Sequence, residues 1–418
     1  MASRYDVVVA GGGLAGALTA LTLSRRGIEV LLVESDRLGG GQSGQSHGYL
    51  HRGYAFGPNE DRLPAVLARA GEHWAALTEG LEPVTRESVL SFSNTSAVRR
   101  AEGFWRASGL PVEPVRRPGW LGGGLVSSFR SEEATYDFGP VLRGLAARIA
   151  ATGTALAVGR VDRIIEEQGG VRAELTTPDG RTETVLSRAV VLAAGAGTPG
   201  ILGRSGLPPV VRCRKAFMLV LRGELPVVSA VFPEYEEHGL FLAGRTGHES
   251  GTTWLLSDFH SFDSAQGSPG RLAGWWARRM LSTLTRVVDP SVLAGVRLVS
   301  GYQAVKSGLA PVSGTVAHEV SQPCLGGLGV TVSPSKLTLA PLAAESAVRA
   351  VSGALGARFT GMDWDRLVSA PPMAAAGGPT LVRSVGEAWE SDLDALKDPD
   401  LANGLPGIRE LSSLYDRP

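Results

Sequence analysis

The chain has 418 residues, and its 41 basic side chains balance 41 acidic ones to give a formal net charge of zero. This length predicts two or three domains, and the neutral balance argues against partners recruited by bulk charge, such as nucleic acid or an anionic membrane surface. The only cysteines are Cys213 and Cys324, in no metal-binding or redox spacing. We therefore expect a cytoplasmic protein without structural metal or disulfide framework.

The N-terminal stretch is typical of a dinucleotide-binding unit. An apolar run over residues 7–10 predicts a buried parallel strand, and Gly11 to Gly16 follow it as G-x-G-x-x-G before a helix. Gly11 permits the tight turn, Gly13 allows close approach of a pyrophosphate, and Gly16 allows the helix to pack on the strand. The helix N-terminus then faces the phosphates.

A second predicted strand, residues 28–33, ends at Glu34. An acid at this point binds a ribose hydroxyl and repels a 2′-phosphate, so NADP is disfavoured. Asp6 directly precedes the stretch of residues 7–23, and glycines and threonines interrupt that stretch, which therefore fits neither a signal peptide nor a membrane span.

The next segments alternate between loop, helix and strand. Small and hydroxyl residues dominate 39–54 and predict a buried loop against a flat ligand, while residues 66–77 have helical spacing, with His73 at a core boundary. Residues 82–124 change character, which predicts the start of an inserted domain. A helix over 140–151, strands from Ala155 and an apolar strand into glycines at 190–197 return to the first domain.

Residues 208–312 consist mostly of predicted strands with helices near 271–286 and 290–294, and a helix over 342–351 follows. The predicted fold class is α/β, with a Rossmann-like nucleotide-binding domain and an inserted α+β substrate domain on an antiparallel sheet. The domains are 1–81, 138–205 and 315–352 for nucleotide binding, 82–137 and 206–314 for substrate, and 353–418 as a tail of unknown role.

Three stretches of the chain resemble one family. They are Gly11 to Gly16 with Glu34, the pattern S-G-x-x-x-G-x-x-H-x-G-Y over 43–54, and residues 190–197 with 338–341. Together they resemble FAD-dependent amino-acid and hydroxy-acid oxidoreductases, the superfamily of D-amino-acid oxidase, glycine oxidase and L-2-hydroxyglutarate dehydrogenase. The resemblance covers residues 5–352 and implies an oxidase or dehydrogenase that moves a hydride from a C–O or C–N carbon of a small polar metabolite to flavin N5.

The resemblance also implies a set of FAD contacts. Carried over by position, these are Gly11, Gly13, Leu14, Ala15 and Gly16 at the pyrophosphate, Glu34 at the ribose, Ser35 and Val161 at the adenosine, Gln42, Ser43 and Ser46 toward the isoalloxazine, Ala194 and Gly195 at the diphosphate, and Ser333, Ser335, Lys336, Leu337 and Thr338 at the flavin pyrimidine. A helix that begins after Ser333 or Ala340 would stabilise negative charge on the reduced flavin.

The expected substrate-binding arginine is missing. Relatives that oxidise carboxylates place it in a G-x-R-[PA] stretch, where its fork binds the carboxylate, but this chain has Gln303 there, flanked by Tyr302. Either Lys306 or an arginine from elsewhere replaces it, or the substrate has no carboxylate at that point.

His51 is the candidate acid–base residue, with His47 as a weaker second, because imidazole titrates near neutral pH. Amine-oxidising relatives often need no base, so an amine oxidase without one is an alternative. Flavin monooxygenases and halogenases, another alternative, have a Gly-Asp pair that residues 326–330 lack, and the flanks of Cys324 match flavin-linking cysteines poorly. Substrate, electron acceptor and oligomeric state stay open.

Overall fold

A computed structural model of the protein describes residues 3–57, 62–233, 239–246, 251–258, 262–263, 274–310 and 320–364. Its helices are α1 (Leu14–Arg25), α2 (Leu63–Leu77), α3 (Thr95–Ala107), α4 (Phe138–Ala151), α5 (Thr198–Arg204), α6 (Gly274–Val287), α7 (Pro290–Leu293) and α8 (Ala340–Ala354). Short 3-10 helices occupy Gly195–Gly197, Leu325–Gly327 and Leu337–Leu339.

The strands of the described residues form two sheets. In chain order they are β1 (Ser3–Ala10), β2 (Val30–Glu34), β3 (Ser88–Phe92), β4 (Glu113–Val115), β5 (Ser127–Ser131), β6 (Ala155–Val158), β7 (Arg160–Glu167), β8 (Gly170–Thr176), β9 (Thr182–Leu192), β10 (Val211–Gly223), β11 (Ser229–Phe232), β12 (Leu240–Thr246), β13 (Thr252–Ser257), β14 (Phe262–Asp263), β15 (Val296–Leu309), β16 (Ser321–Cys324) and β17 (Gly329–Val332).

The first sheet contains the predicted nucleotide-binding unit. Its order is β16-β17-β9-β1-β2-β6, in which β1 pairs in parallel with β2 and β9, and an antiparallel β7-β8 extension joins β9. Val7, Val8 and Val9 are fully buried, as expected of a strand covered on both faces. The predicted α/β class is confirmed.

Helices α1, α4 and α8 cover one face of this sheet, and α5 with β7 and β8 covers the other. α1 is buried along most of its length, including two threonines. The hydroxyls of Thr19 and Thr22 donate to the carbonyls four residues earlier, which satisfies both polar groups inside the core.

The second sheet has the order β14-β10-β13-β12-β11-β3-β5-β4, with β15 also paired to β10, and its pairings are antiparallel apart from β3 with β11. One face packs against α6, and the other faces the 49–54 segment. Strand β15 was not predicted from the sequence, because glycines and polar residues interrupt its apolar pattern. Its long pairing with β10 is what stabilises it as a strand.

The first part of the predicted tail packs back on the first sheet's helices. Phe359 lies beneath the guanidinium groups of Arg26 and Arg349, and Trp364 stacks on His73 at 4.6 Å between ring centroids. The rest of the predicted tail, 365–418, lies outside the described residues. The domain boundaries themselves stay predictions. Among the residues that the structure describes, no helix has the length and apolarity to cross a bilayer.

Candidate active site

Four parallel strands of the first sheet end at one edge. Ala10 is in register with both Val33 and Leu192, and Leu192 with Thr331. Ligands of open parallel sheets bind in the crevice outside such carboxyl ends. The loops that follow these strands contain most of the residues that the sequence predicts at the cofactor.

The glycines of the first loop have separate structural roles. A Cβ on Gly11, whose φ is +102°, would lie 2.4 Å from the Ala193 carbonyl oxygen, and one on Gly16 would lie 1.9 Å from the Gly11 carbonyl oxygen. A Cβ on Gly13 would meet only Ser43 Oγ, at 3.3 Å. Gly11 and Gly16 therefore serve chain packing, whereas Gly13 leaves space for a ligand.

The N-terminus of α1 opens onto this space. Its N-cap, Gly13, has no side-chain cap, and no acidic residue lies in the first turn. The Leu14 amide donates to Ser43 Oγ at 3.0 Å. The positive end of the helix dipole is thus not neutralised by its own side chains, which suits a phosphate group near Leu14, Ala15 and Gly16.

Glu34 ties the end of β2 to the glycine loop. Its Oε2 accepts from the Gly12 amide at 2.6 Å, and its Oε1 accepts from Ser35 Oγ at 3.0 Å. The Gly159 amide donates to the Glu34 carbonyl at 2.8 Å, which brings the start of β7, with Val161, close to the same corner. The acid predicted to bind the ribose and the strand backbone predicted to contact the adenosine therefore lie close together.

The 42–46 loop contacts β15. Gln42 Oε1 accepts from the amide of Ser307 at 2.9 Å and from its hydroxyl at 3.0 Å, and Ser333 Oγ donates to Ser307 Oγ at 3.3 Å. A Cβ on Gly195 would lie 3.6 Å from the same Ser307 Oγ. Ser46 Oγ accepts from the Gly48 amide at 3.1 Å. Three predicted cofactor segments, around Gln42, Gly195 and Ser333, therefore meet at Ser307, and Ser46 lies further along the Gln42 loop.

The stretch before α8 closes this place. The helix begins at Ala340, and the 3-10 helix Leu337–Leu339 precedes it. Thr338 Oγ1 accepts from the His51 amide at 3.0 Å, and the ammonium of Lys336 lies 4.2 Å from the centre of the Phe56 ring. Ser335 packs beside Gly308, where a Cβ would meet Ser335 Cβ at 3.1 Å.

A family model described as FAD dependent oxidoreductase matches residues 6–345 of this chain. The chain belongs to the FAD dependent oxidoreductase family. The cofactor is therefore FAD and the protein is an enzyme, an oxidase or dehydrogenase. The edge built by Gly13, the α1 N-terminus and Glu34 fits this cofactor, since it combines an open approach to helix amides with an acid about 20 residues further on.

Two curated relatives match part of the chain. A probable FAD-dependent oxidoreductase of Pseudomonas aeruginosa is 31% identical over 244 residues, 52% of this chain and 58% of the relative. A component of the anaerobic glycerol-3-phosphate dehydrogenase of Escherichia coli is 32% identical over 143 residues, 30% of this chain and 26% of the relative. The matches thus span about half of the first relative and a quarter of the second.

Solved structures share the fold over more of the chain. Glycine oxidase from Geobacillus kaustophilus has a TM-score of 0.69 at 18% identity and covers 88% of this chain and 99% of its own. L-α-glycerophosphate oxidase from Mycoplasma pneumoniae, with FAD bound, has a TM-score of 0.68 at 16% identity and covers 87% and 98%. These likenesses show a shared fold.

Aromatic rings converge beside the closing stretch in this family member. We call His47, Tyr49, His51, Phe56 and Phe241 the aromatic cluster. Tyr49 and His51 stack at 5.4 Å between centroids, and Phe241 lies 5.2 Å from His51 and 5.5 Å from His47. The Tyr49 amide donates to Nδ1 of His47 at 3.3 Å, which leaves the His47 proton on Nε2.

His51 has a buried acid beside it. Its Nδ1 lies 3.7 Å from Oε1 of Glu133, which is fully buried and accepts from the amides of Arg52 at 2.8 Å and Gly53 at 3.2 Å. Burial lowers the pKa of His51, and Glu133 opposes that effect. A neutral imidazole at pH 7 follows, which is the form that accepts a proton.

Positive side chains surround the aromatic cluster. Burial and then the charges of His51, Lys306, Arg245 and Lys336 hold the pKa of His47 well below its usual range. Arg245, on β12, pairs with Asp137 at 3.4 Å and donates to the Ser46 carbonyl, while its Nε is buried without a hydrogen-bond partner. Excess positive charge here favours an anionic ligand.

Tyr302 and Lys306 are on the face of β15 that looks toward this cluster. The Tyr302 hydroxyl donates to the Gln45 carbonyl at 2.7 Å. Lys306, four residues on, has the same orientation because side chains alternate along a strand. Lys306 is exposed to solvent.

Gln303 is on the opposite face. It pairs directly with Phe217 of β10, and directly paired residues share a face. The Phe217 ring contacts Trp276 of α6 at 5.4 Å between centroids, so Gln303 is directed toward the helix layer. This placement does not fit the predicted role of Gln303 in the substrate site.

Sequence reasoning missed Glu133 and Arg245. Glu133 is adjacent to another acid, Glu132, and nothing in the pattern distinguishes the buried one from the exposed one. Arg245 reaches the site only because β12 is in the same sheet as β15. The related signal in the sequence was Gln303 at the position expected for arginine, and it left an arginine from elsewhere as one of three alternatives.

Proposed function

We propose that this enzyme removes a hydride from a C–O or C–N carbon of a small anionic metabolite. The observation that carries the proposal is the convergence of Arg245, Lys306 and a neutral His51 beside the carboxyl edge of the first sheet. The similar proteins include a glycerol-3-phosphate dehydrogenase and a glycine oxidase, and both named substrates have an anionic group.

The residues that would hold FAD are those at the sheet edge. Gly13 with the amides of Leu14, Ala15 and Gly16 would bind the diphosphate, Glu34 the ribose, and the closing stretch before α8 the flavin. FAD supplies the hydride acceptor at flavin N5. The remaining chemistry belongs to the chain itself.

In this proposal, His51 accepts the proton that the substrate loses. Loss of a hydride from a C–OH or C–NH carbon is coupled to loss of the proton on the heteroatom. The neutral His51 is buried among aromatic rings, where little water competes for that proton. We assign it the role of general base.

His51→Ala and His51→Gln test this role in anaerobic stopped flow. Flavin reduction should slow by about 10²–10⁴-fold in both variants, because general-base help is typically worth that much. Both should stay yellow and bind substrate. Candidate substrates are hydroxy acids, amino acids and glycerol phosphates, mixed first with the parental enzyme.

His73→Gln is the matched control, since His73 stacks on Trp364 and contacts Glu345 away from the aromatic cluster. It should reduce flavin at the parental rate. A parental rate in both His51 variants would instead show that no base is needed, and C–N oxidation without a catalytic base would replace the present proposal.

Arg245→Met and Lys306→Met test the anionic substrate. Each removes one positive charge from the cluster and should raise the substrate KM by about tenfold or more, since hydrogen bonds to charged groups contribute roughly 1.5–3 kcal/mol. Titration with acetate and phosphate, followed by the flavin absorbance, checks anion binding without turnover. Unchanged anion affinity in both variants would contradict the assignment.

A further inference from the structure

We propose that Glu133 is a positioning residue that holds the Nδ1 proton of His51, so that Nε2 is the nitrogen that accepts the substrate proton. The inference rests on the proposed function of His51 as base. Glu133 is not part of any pattern that the sequence reveals, and its assignment depends on geometry alone.

The chain fixes the Glu133 carboxylate from several directions. Its Oε1 accepts the amides of Arg52 and Gly53, and its own carbonyl accepts from the Ser88 hydroxyl at 2.8 Å. The Leu50 amide donates to the Ala134 carbonyl at 3.0 Å, so residues on either side of His51 run along the Glu133 segment. The acid is therefore placed by backbone contacts and not by a flexible partner.

Two buried atoms in this pair are unsatisfied. Nδ1 of His51 and Oε2 of Glu133 have no hydrogen-bond partner, and Nδ1 lies 3.7 Å from the nearer oxygen, Oε1. A charge-assisted hydrogen bond has a length of about 2.7–2.9 Å, so a shift of about 1 Å completes the contact. Buried polar atoms without partners are costly, and the Glu133 carboxylate is the acceptor that lies beside Nδ1.

Glu133 also balances the charges around His51. The groups that face this imidazole are Glu133, Lys306, Lys336, His47 and the stacked Tyr49. Lys306 and Lys336 disfavour an imidazolium, and Glu133 is the anion among these five. When the substrate proton moves to Nε2 and the hydride leaves carbon with both C–H electrons for FAD, Glu133 stabilises the cation that forms.

The test uses holoenzyme labelled with 15N-histidine. His51→Gln identifies the His51 signals, whose shifts report both the tautomer and the pKa. In the parental enzyme, neutral His51 should have its proton on Nδ1. In Glu133→Gln, the pKa of His51 should fall, because the anion is gone, and flavin reduction should slow by about tenfold or more, with its pH profile moved to lower pH.

Glu132→Gln is the matched control. Glu132 is the exposed neighbour that pairs with Arg52 at 2.6 Å, and its loss should leave the His51 pKa and the rate unchanged. A parental His51 with its proton on Nε2, or an unchanged His51 pKa in Glu133→Gln, overturns the proposal. If Glu133→Gln does not fold, the parental tautomer alone decides.

Glu133→Gln in the His51→Gln background separates positioning from a general structural effect. A residue that acts through His51 should add little further loss of rate once the imidazole is gone. A full additional loss overturns the proposal. A parental rate in His51→Gln alone overturns only the proposed function, since the tautomer and pKa are measured without turnover.

Discussion

His51 combines a proton acceptor with an environment that keeps it neutral. Burial lowers its pKa below the ordinary histidine value, and the charge of Glu133 limits the shift. The rate of flavin reduction should therefore be level around pH 7 and fall with acid, with its midpoint below the unperturbed histidine value of about 6.5. Stopped-flow rates between pH 5 and pH 8 check this, and a midpoint above that value would contradict it.

Acid should also destabilise the fold through the same residues. The pKa values of His47, His51 and His73 are all lowered by burial, so the unfolded chain binds more protons than the native chain once the pH falls below the unfolded value. Stability is then retained above about pH 6.5 and lost progressively below it. Thermal unfolding across this range should show a falling Tm, with a smaller fall in His51→Gln.

The glycine loop separates folding from cofactor binding at single positions. Gly13→Val should give a folded but colourless protein, because its side chain enters the open approach and meets no backbone atom. Gly16→Val should fail to fold, since a Cβ there would lie 1.9 Å from the Gly11 carbonyl oxygen. Circular dichroism and the flavin absorbance distinguish the two, and a yellow Gly13→Val protein would contradict the assignment.

At the scale of elements, helices and strands were predicted best where a local sequence pattern determines their conformation. The strand, glycine loop, helix and acid of residues 5–34 lie within one contiguous unit, and the structure contains that unit in the first sheet. Helix α3 is another element fixed by local contacts, since the Asn94 side chain caps its start by accepting from the amides of Ser96 and Ala97. Local chemistry is sufficient for such elements.

Prediction from the sequence failed for elements whose conformation and side-chain direction depend on a partner strand. β15 is stabilised along its length by β10, about 85 residues earlier in the chain, and its own residues give only a weak strand pattern. The same pairing places Gln303 away from the site and Tyr302 toward it. Arg245 and Glu133 likewise depend on contacts between segments that are distant in sequence, which no local pattern encodes.

Cys324, at the end of strand β16, bears on whether FAD is attached covalently. Burial raises the pKa of the Cys324 thiol, and the thiol lies within the sheet beside Gly329, so it is a poor nucleophile. We expect noncovalent FAD. Acid precipitation should leave all the yellow colour in the supernatant, as it should in Cys324→Ser, and colour in the pellet of the parental protein alone would show a thioether.

At the scale of the whole molecule, polar contacts between described residues join the two sheets. Gln42 accepts twice from Ser307, and the Tyr302 hydroxyl donates to the Gln45 carbonyl. The loop that contains Gln42 and Gln45 also contains Ser43, which contacts the N-terminus of α1. The proposed FAD site is therefore continuous with the junction of the two sheets, and cofactor binding should stabilise both.

Gln42→Leu tests this coupling. The change removes the acceptor of two Ser307 donors, and an unpaired buried donor costs roughly 1–3 kcal/mol, so apoprotein stability should fall by about that amount. FAD affinity should fall as well, because the loop beside α1 loses its anchor on β15. Denaturant unfolding of the apoprotein and FAD titration measure the two effects.

Gln45→Ala is the matched control, since Gln45 makes its contact with Tyr302 through the backbone carbonyl, which the variant keeps. Equal losses in both variants would mean that the loop, and not the Gln42 side chain, joins the sheets.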